Sequence, residues 1–137
     1  MNPARTLLIC DDEEELAHEL GEFFASLGWC VELSVTAEDA IAHLRCGLAP
    51  QVLITDLRIG AIDGRQVVAE ARALPAAIRP ALVIIITGHV MHNVTAADFD
   101  SDFLYVKPID PNDLLDDINS FLARRAVLPS QGQHPPD

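Results

Sequence analysis

The chain has 137 residues, with 21 Asp and Glu against 9 Lys and Arg, a formal net charge of −12, and 50% hydrophobic residues. By length this is one globular domain with enough apolar content for a core, and its charge disfavours binding to nucleic-acid phosphates or an anionic membrane surface. No apolar run approaches the roughly 20 residues of a membrane span, and Met1-Asn2-Pro3-Ala4-Arg5 runs straight into a strand, without a signal peptide's apolar segment, so a cytoplasmic location is expected.

In chain order, Thr6 to Cys10 reads as a short buried strand. Glu13 to Leu27 reads as a helix, because Leu16, Leu20, Phe23, Phe24 and Leu27 recur on one face, and Gly28 ends it. Cys30 to Val35 alternates as a strand near a sheet edge does. Thr36-Ala37-Glu38-Asp39 starts a second helix with Ala40, Ile41 and Leu44 inward, ending at Gly47. Val52 to Asp56 is apolar and β-branched apart from its last residue. A third helix is expected over about Gly64 to Leu74, stopped by Pro75. Leu82 to Ile86 is the most hydrophobic strand and is expected to be central.

The stretch from His89 to Asp102 has poor apolar periodicity, and only Val94 to Phe99 suits a short helix. A fifth strand follows at Leu104 to Val106. Asp110-Pro111 is an N-cap followed by proline at the first helical position, and Leu114, Leu115, Ile118, Phe121 and Leu122 form the inward stripe of the last helix. The domain is expected to span residues 1–125, with 126–137 as a disordered tail. Cys10, Cys30 and Cys46 lack CxxC spacing and read as structural thiols. Glu13, Glu14 and Glu15 read as a solvated helix start, and Trp29 as a packing residue.

Strands alternating with helices predict an α/β fold with a doubly wound, five-stranded parallel sheet of flavodoxin-like order 2-1-3-4-5 and helices on both faces. The polar residues at the strand ends then gain a common meaning. Asp11-Asp12, Asp56, Thr87 and Lys107 each follow an apolar run, and the switch point in that order gathers them at one end of the sheet. Three carboxylates this close need a cation among them, and hard oxygen ligands suit Mg²⁺. A metal-paired Asp beside a Lys and a hydroxyl is a phosphoryl-transfer site in outline, with an aspartyl phosphate as product.

With Asp63-Gly64 downstream of Asp56-Leu57, Thr87-Gly88 after the fourth strand and Lys107-Pro108 after the fifth, the chain resembles the receiver domains of two-component response regulators over about Leu7 to Leu122. That resemblance implies Asp56 as phosphoacceptor, Asp12 and Asp56 as direct Mg²⁺ ligands, Asp11 as a ligand through water, and the Arg58 carbonyl as a further ligand. It also implies Thr87 as the switch hydroxyl, Lys107 as the phosphoryl-binding amine and a cis Lys107–Pro108 bond. The chain departs from the family at Gly60, where proline is frequent, at Leu104, where an aromatic residue is usual and either Leu104 or Tyr105 would fill the switch space, and in a short Thr87–Lys107 interval.

The function so implied is that of a stand-alone, phosphorylation-controlled signalling switch, catalysing only its own phosphorylation and dephosphorylation. Its partners would be a sensor histidine kinase or histidine phosphotransfer protein and a downstream protein target on the fourth-helix, fifth-strand and fifth-helix surface, with no nucleic acid and no membrane; homodimerisation stays open. His89 could tune dephosphorylation or be a surface residue; the other histidines lack ligand spacing. Two alternatives compete. A receiver that has lost phosphorylation would act only as an interaction module, which the complete acidic site argues against. A Mg²⁺-dependent phosphatase of the haloacid dehalogenase type would need a second Asp two residues after the nucleophile, where Arg58 stands.

Overall fold

The computed structural model describes residues 5–60, 62–88 and 94–132. The main strands are β1 (Thr6–Cys10), β2 (Cys30–Ser34), β3 (Val52–Asp56), β4 (Leu82–Thr87) and β5 (Phe103–Val106). They form one parallel sheet in the order β2-β1-β3-β4-β5. The helices are α1 (Glu14–Ser26), α2 (Ala37–Arg45), α3 (Gly64–Arg72) and α4 (Pro111–Gly132).

Alternation along the strands divides the core in two. Leu7, Ile9, Val52, Ile54, Leu82, Ile84 and Ile86 meet Leu20 and Phe24 of α1 and Leu114 and Ile118 of α4. Leu8, Cys10, Leu53, Val83 and Ile85 meet Ala40 and Leu44 of α2 and Val67, Val68 and Ala71 of α3 on the other face. Each fully buried Leu, Ile or Phe here contributes about 1.5–3 kcal/mol of transfer free energy. Trp29 belongs to the first cluster, with its ring edge-on to Phe24. Among the described residues no helix is long and apolar enough to cross a membrane.

The expected start of α2 at Thr36 holds, and α3 is capped in the same way. The Thr36 side chain accepts from the Asp39 amide at 3.0 Å and caps α2, and the Asp63 side chain accepts from the Arg65 amide at 2.8 Å and caps α3. One placement is refined: β4 is interior, buried and paired on both sides, while the order puts β3 in the middle place and β5 at the edge. Cys10 is buried as expected, whereas Cys30 and Cys46 are exposed free thiols, because they stand at an edge-strand start and past the end of α2. Helix α4 runs through Gly132.

The short helix expected within Val94 to Phe99 is a 3-10 turn, Ala96–Phe99. Three acids in and beside the turn, Asp98, Asp100 and Asp102, make specific contacts. Asp98 completes a capping box with Thr95. Asp100 stands at φ 58° as the C-cap, and its carbonyl accepts from Arg72 of α3 at 2.9 and 3.1 Å. The Asp102 carboxylate accepts from the Val83 amide at 2.8 Å and from Arg72 at 3.4 Å. The turn is thus held by α3 and the start of β4. Residues 89–93, including His89, lie outside the described residues, as does the tail 133–137.

Candidate functional site

The register of the sheet makes the site. Cys10 is level with Thr55, Asp56 with Ile86, and Thr87 with Val106. The next residues of four parallel strands therefore emerge at one edge, and those residues are Asp11, Asp56, Thr87 and Lys107. Backbone bonds carry the ladder past the strand ends, from the Leu57 amide to the Ile86 carbonyl and from the Lys107 amide to the Thr87 carbonyl, each 2.8 Å.

Asp11, Asp12 and Asp56 each bring a carboxylate oxygen to a place where all three lie within 4.8 Å of one another. Asp11 is 3% exposed and Asp56 7%, whereas Asp12 is exposed. Asp11 accepts from the Glu13 amide at 2.9 Å, at the entrance to α1. The Lys107 ammonium reaches Asp11 at 3.2 Å and Asp56 at 3.3 Å. It also donates to Glu13.

Burial pushes the Asp11 carboxyl up to about 6, and the Asp56 charge adds to this, while the Glu13 amide and Lys107 oppose it. For Lys107, burial works against the charge, but the Glu13 hydrogen bond and the charges of Asp11 and Asp56 outweigh it and hold the amine above its ordinary range. Burial also pushes the Cys10 thiol up to about 12 despite a hydrogen bond with Thr55, which leaves it a protonated core group without nucleophilic character.

Beyond Asp56 the chain makes a feature that periodicity could not reveal, a two-residue antiparallel hairpin of Arg58–Ile59 with Ile62–Asp63. Gly60 turns it with φ 62°, a conformation glycine adopts at no steric cost. The Gly60 amide donates to Asp12 at 3.2 Å, tying the hairpin tip to the acidic cluster. Arg58 is exposed at the start of the hairpin, its Cα level with Asp63. Gly64 closes the loop from below. Its amide donates to the Leu57 carbonyl at 2.6 Å, and a Cβ there would lie 2.0 Å from the Asp56 carbonyl oxygen. The Asp-Gly pair at 63–64 thus follows from α3 starting directly under the backbone of Asp56.

Thr87 is 2% exposed. The two residues weighed for the switch position part company. Leu104 packs with Phe99 against the α2 and α3 side of the sheet, where alternation from Val83 and Ile85 also points Thr87. Tyr105 faces α1 and α4 instead, and its hydroxyl donates to Asp117 of α4. The Lys107–Pro108 peptide bond is cis.

The site residue missed from the sequence is Glu13. Glu14 and Glu15 are exposed helix-start acids as expected, but Glu13, the N-cap, turns its carboxylate to Lys107. Nothing local signals this, because the contact joins residues 94 positions apart.

The donor set fits a divalent cation with a taste for oxygen. Two of its three carboxylates are buried, they crowd one another, and one ammonium is their nearby counter-charge.

The family model described as response regulator receiver domain matches residues 7–119. Among curated proteins, the C4-dicarboxylate transport transcriptional regulatory protein DctR of Rhodobacter capsulatus is 32% identical over 138 residues, covering 93% of this chain and 62% of that protein. The transcriptional regulatory protein TrcR of Mycobacterium tuberculosis is 28% identical over 127 residues, covering 93% of this chain and 48% of that protein. The chain therefore spans less than two thirds of the length of these relatives. Among solved structures, a CheY-like receiver domain protein from Methanospirillum hungatei superposes with a TM-score of 0.79 at 21% identity, over 90% of this chain and 98% of that one. The signal receiver domain of a LuxO repressor protein from Vibrio parahaemolyticus also gives 0.79, at 22% identity, over 96% and 98%. These structures share the fold.

Proposed function

Because the chain belongs to the response regulator receiver domain family, a family of phosphorylation-controlled signalling elements, we propose that Asp56 is its phosphoacceptor and that the sheet edge around it is the phosphoryl-transfer site. The observation that carries this reading is the buried Asp56 carboxylate, grouped with Asp11 and Asp12 within 4.8 Å and bridged by Lys107.

An Asp56 carboxylate oxygen attacks phosphorus and forms a new P–O bond. The P–N bond of a phosphohistidine, or the P–O bond of a small acyl phosphate, breaks, and its electron pair leaves with the donor. Asp11, Asp12, Asp56 and the Arg58 carbonyl would hold Mg²⁺, Asp11 through water. Bound there, Mg²⁺ supplies positive charge against the carboxylates and the transferring oxygens. The Lys107 ammonium turns one N–H to a phosphoryl oxygen, and the Thr87 hydroxyl donates to another.

As Thr87 moves toward the phosphoryl group, Leu104 and Phe99 on its side of the sheet repack into the space it leaves. Leu104 fills the switch position, because Tyr105 is tied to Asp117 on the opposite face. The surface that changes is the 3-10 turn at Ala96–Phe99, β5 and the adjoining face of α4. Its reader is a protein target, and the phosphodonor is a histidine kinase or phosphotransfer protein in the cytoplasm. The expectation of no nucleic-acid partner is confined to this domain's own acidic surface, since relatives that extend beyond it are named transcriptional regulators.

The test is incubation with Mg²⁺ and a small acyl phosphate, followed by intact mass. One phosphoryl group is gained by the wild type and none by Asp56→Asn. A Mg²⁺-dependent gain by Asp56→Asn overturns the assignment.

A further inference from the structure

The three donors of the Lys107 ammonium face three carboxylates, those of Asp11, Asp56 and Glu13. In this resting arrangement none is free for the phosphoryl group of an incoming donor. One carboxylate must therefore yield before Asp56 attacks, since only the new P–O bond removes the Asp56 charge. Asp11 is buried and fixed by the Glu13 amide, and Asp56 is buried at the strand end. The Glu13 side chain is 62% exposed. Released, it regains both water and rotamer freedom.

We propose that Glu13 is a placeholder for the phosphoryl group, an autoinhibitory contact that occupies the outer donor of Lys107 until a phosphoryl oxygen displaces it. The proposal rests on Asp56 being the phosphoacceptor. Glu13 lies outside the Asp11, Asp12 and Asp56 grouping, so filling that grouping with a cation leaves its hold on Lys107 in place. It therefore acts as a positioning residue for Lys107, setting how readily the amine is given up to the incoming group. A carboxylate at this point also repels an anionic donor. Its two effects share one sign: both slow entry.

The test compares wild type with Glu13→Gln and Glu14→Gln, the latter removing the same charge from an exposed neighbour in the first turn of α1. With Mg²⁺ and a small acyl phosphate, Glu13→Gln should gain its phosphoryl group roughly two- to fivefold faster, the range set by releasing one largely exposed ion-pair partner. Glu14→Gln should stay close to wild type. Equal rates in wild type and Glu13→Gln overturn the proposal, and so does equal acceleration by Glu14→Gln, which would reduce the effect to general charge. A second measurement needs neither metal nor phosphorylation. Melting temperatures of wild type, Glu13→Gln, Lys107→Met and the double variant should be non-additive, and additivity removes the contact on which the proposal stands. If wild type gains no phosphoryl group at all, the reading of Asp56 fails and this inference falls with it; if only the Glu13→Gln rate is unchanged, the reading of Asp56 stands.

Discussion

Asp11 shows how a crowded, buried carboxylate makes stability depend on pH. Its carboxyl moves from 3.8 to about 6, first through burial. The unfolded chain releases that proton near the ordinary value, so between about 4 and 6 the folded protein holds a proton that the unfolded one does not. This contribution is full below the unfolded value and is lost as pH rises through about 6. Metal-free wild type should therefore lose more stability from pH 4.5 to 7 than Asp11→Asn does, read as the difference between their melting temperatures at each pH; parallel curves would show that Asp11 is not the group responsible. Asp12 differs in being exposed and in accepting from the Gly60 amide. Asp12→Asn keeps an acceptor for that amide and removes one of three crowded charges. It should melt higher than wild type without Mg²⁺ and gain nothing from Mg²⁺, since a ligand lost from an octahedral set is not replaced by its neighbours. A variant that melts lower, or that Mg²⁺ still stabilises as it does wild type, contradicts this.

At the scale of elements, α3 and the 3-10 turn carry the consequences. The start of α3 lies so close under β3 that a methyl at residue 64 meets the Asp56 carbonyl. Gly64→Ala should cost about 2 kcal/mol or more by overpacking and slow phosphorylation by displacing Asp56; chemical denaturation and the phosphorylation assay together check it. The turn at Ala96–Phe99 hangs on Arg72 and Asp102. With a phosphoryl mimic at Asp56, hydrogen exchange should change over residues 94–102. Equal protection in both states rules out this segment as the reader of the signal. The same response should survive in Tyr105→Phe, which removes the bond to Asp117, because the tyrosine is on the face away from Thr87.

For the whole molecule, a net charge of −12 means self-repulsion that salt relieves. Salt should raise the melting temperature of the metal-free protein. Mg²⁺ should raise it further and specifically, by about 2.7 kcal/mol of stability at a concentration one hundred times its dissociation constant. Trp29, the single tryptophan, is buried with Phe24 in the α1 and α4 half of the core, so its fluorescence reports global unfolding. If Mg²⁺ stabilises no more than an equal ionic strength of monovalent salt, the acidic cluster binds no metal.

The parallel sheet, its strand order and the polar residues that gather at one of its edges are legible in the chain. Those features are written in short-range patterns: the apolar runs that lead to Asp11, Asp56, Thr87 and Lys107 each span only a few neighbouring residues. Alternating strands and helices then leave few ways to wind the chain, and the switch point of the 2-1-3-4-5 order brings those ends together. What depends on pairs distant in sequence had to wait for packing. Packing put Leu104 rather than Tyr105 on the Thr87 side of the sheet, since the face a strand residue takes follows from register and not from residue type. It tied the turn at Ala96–Phe99 to its neighbours, because Arg72 and the Val83 amide supply partners for the Asp100 carbonyl and the Asp102 carboxylate. It also brought Glu13 to Lys107, a contact made only because β1 and β5 end at the same edge of one sheet.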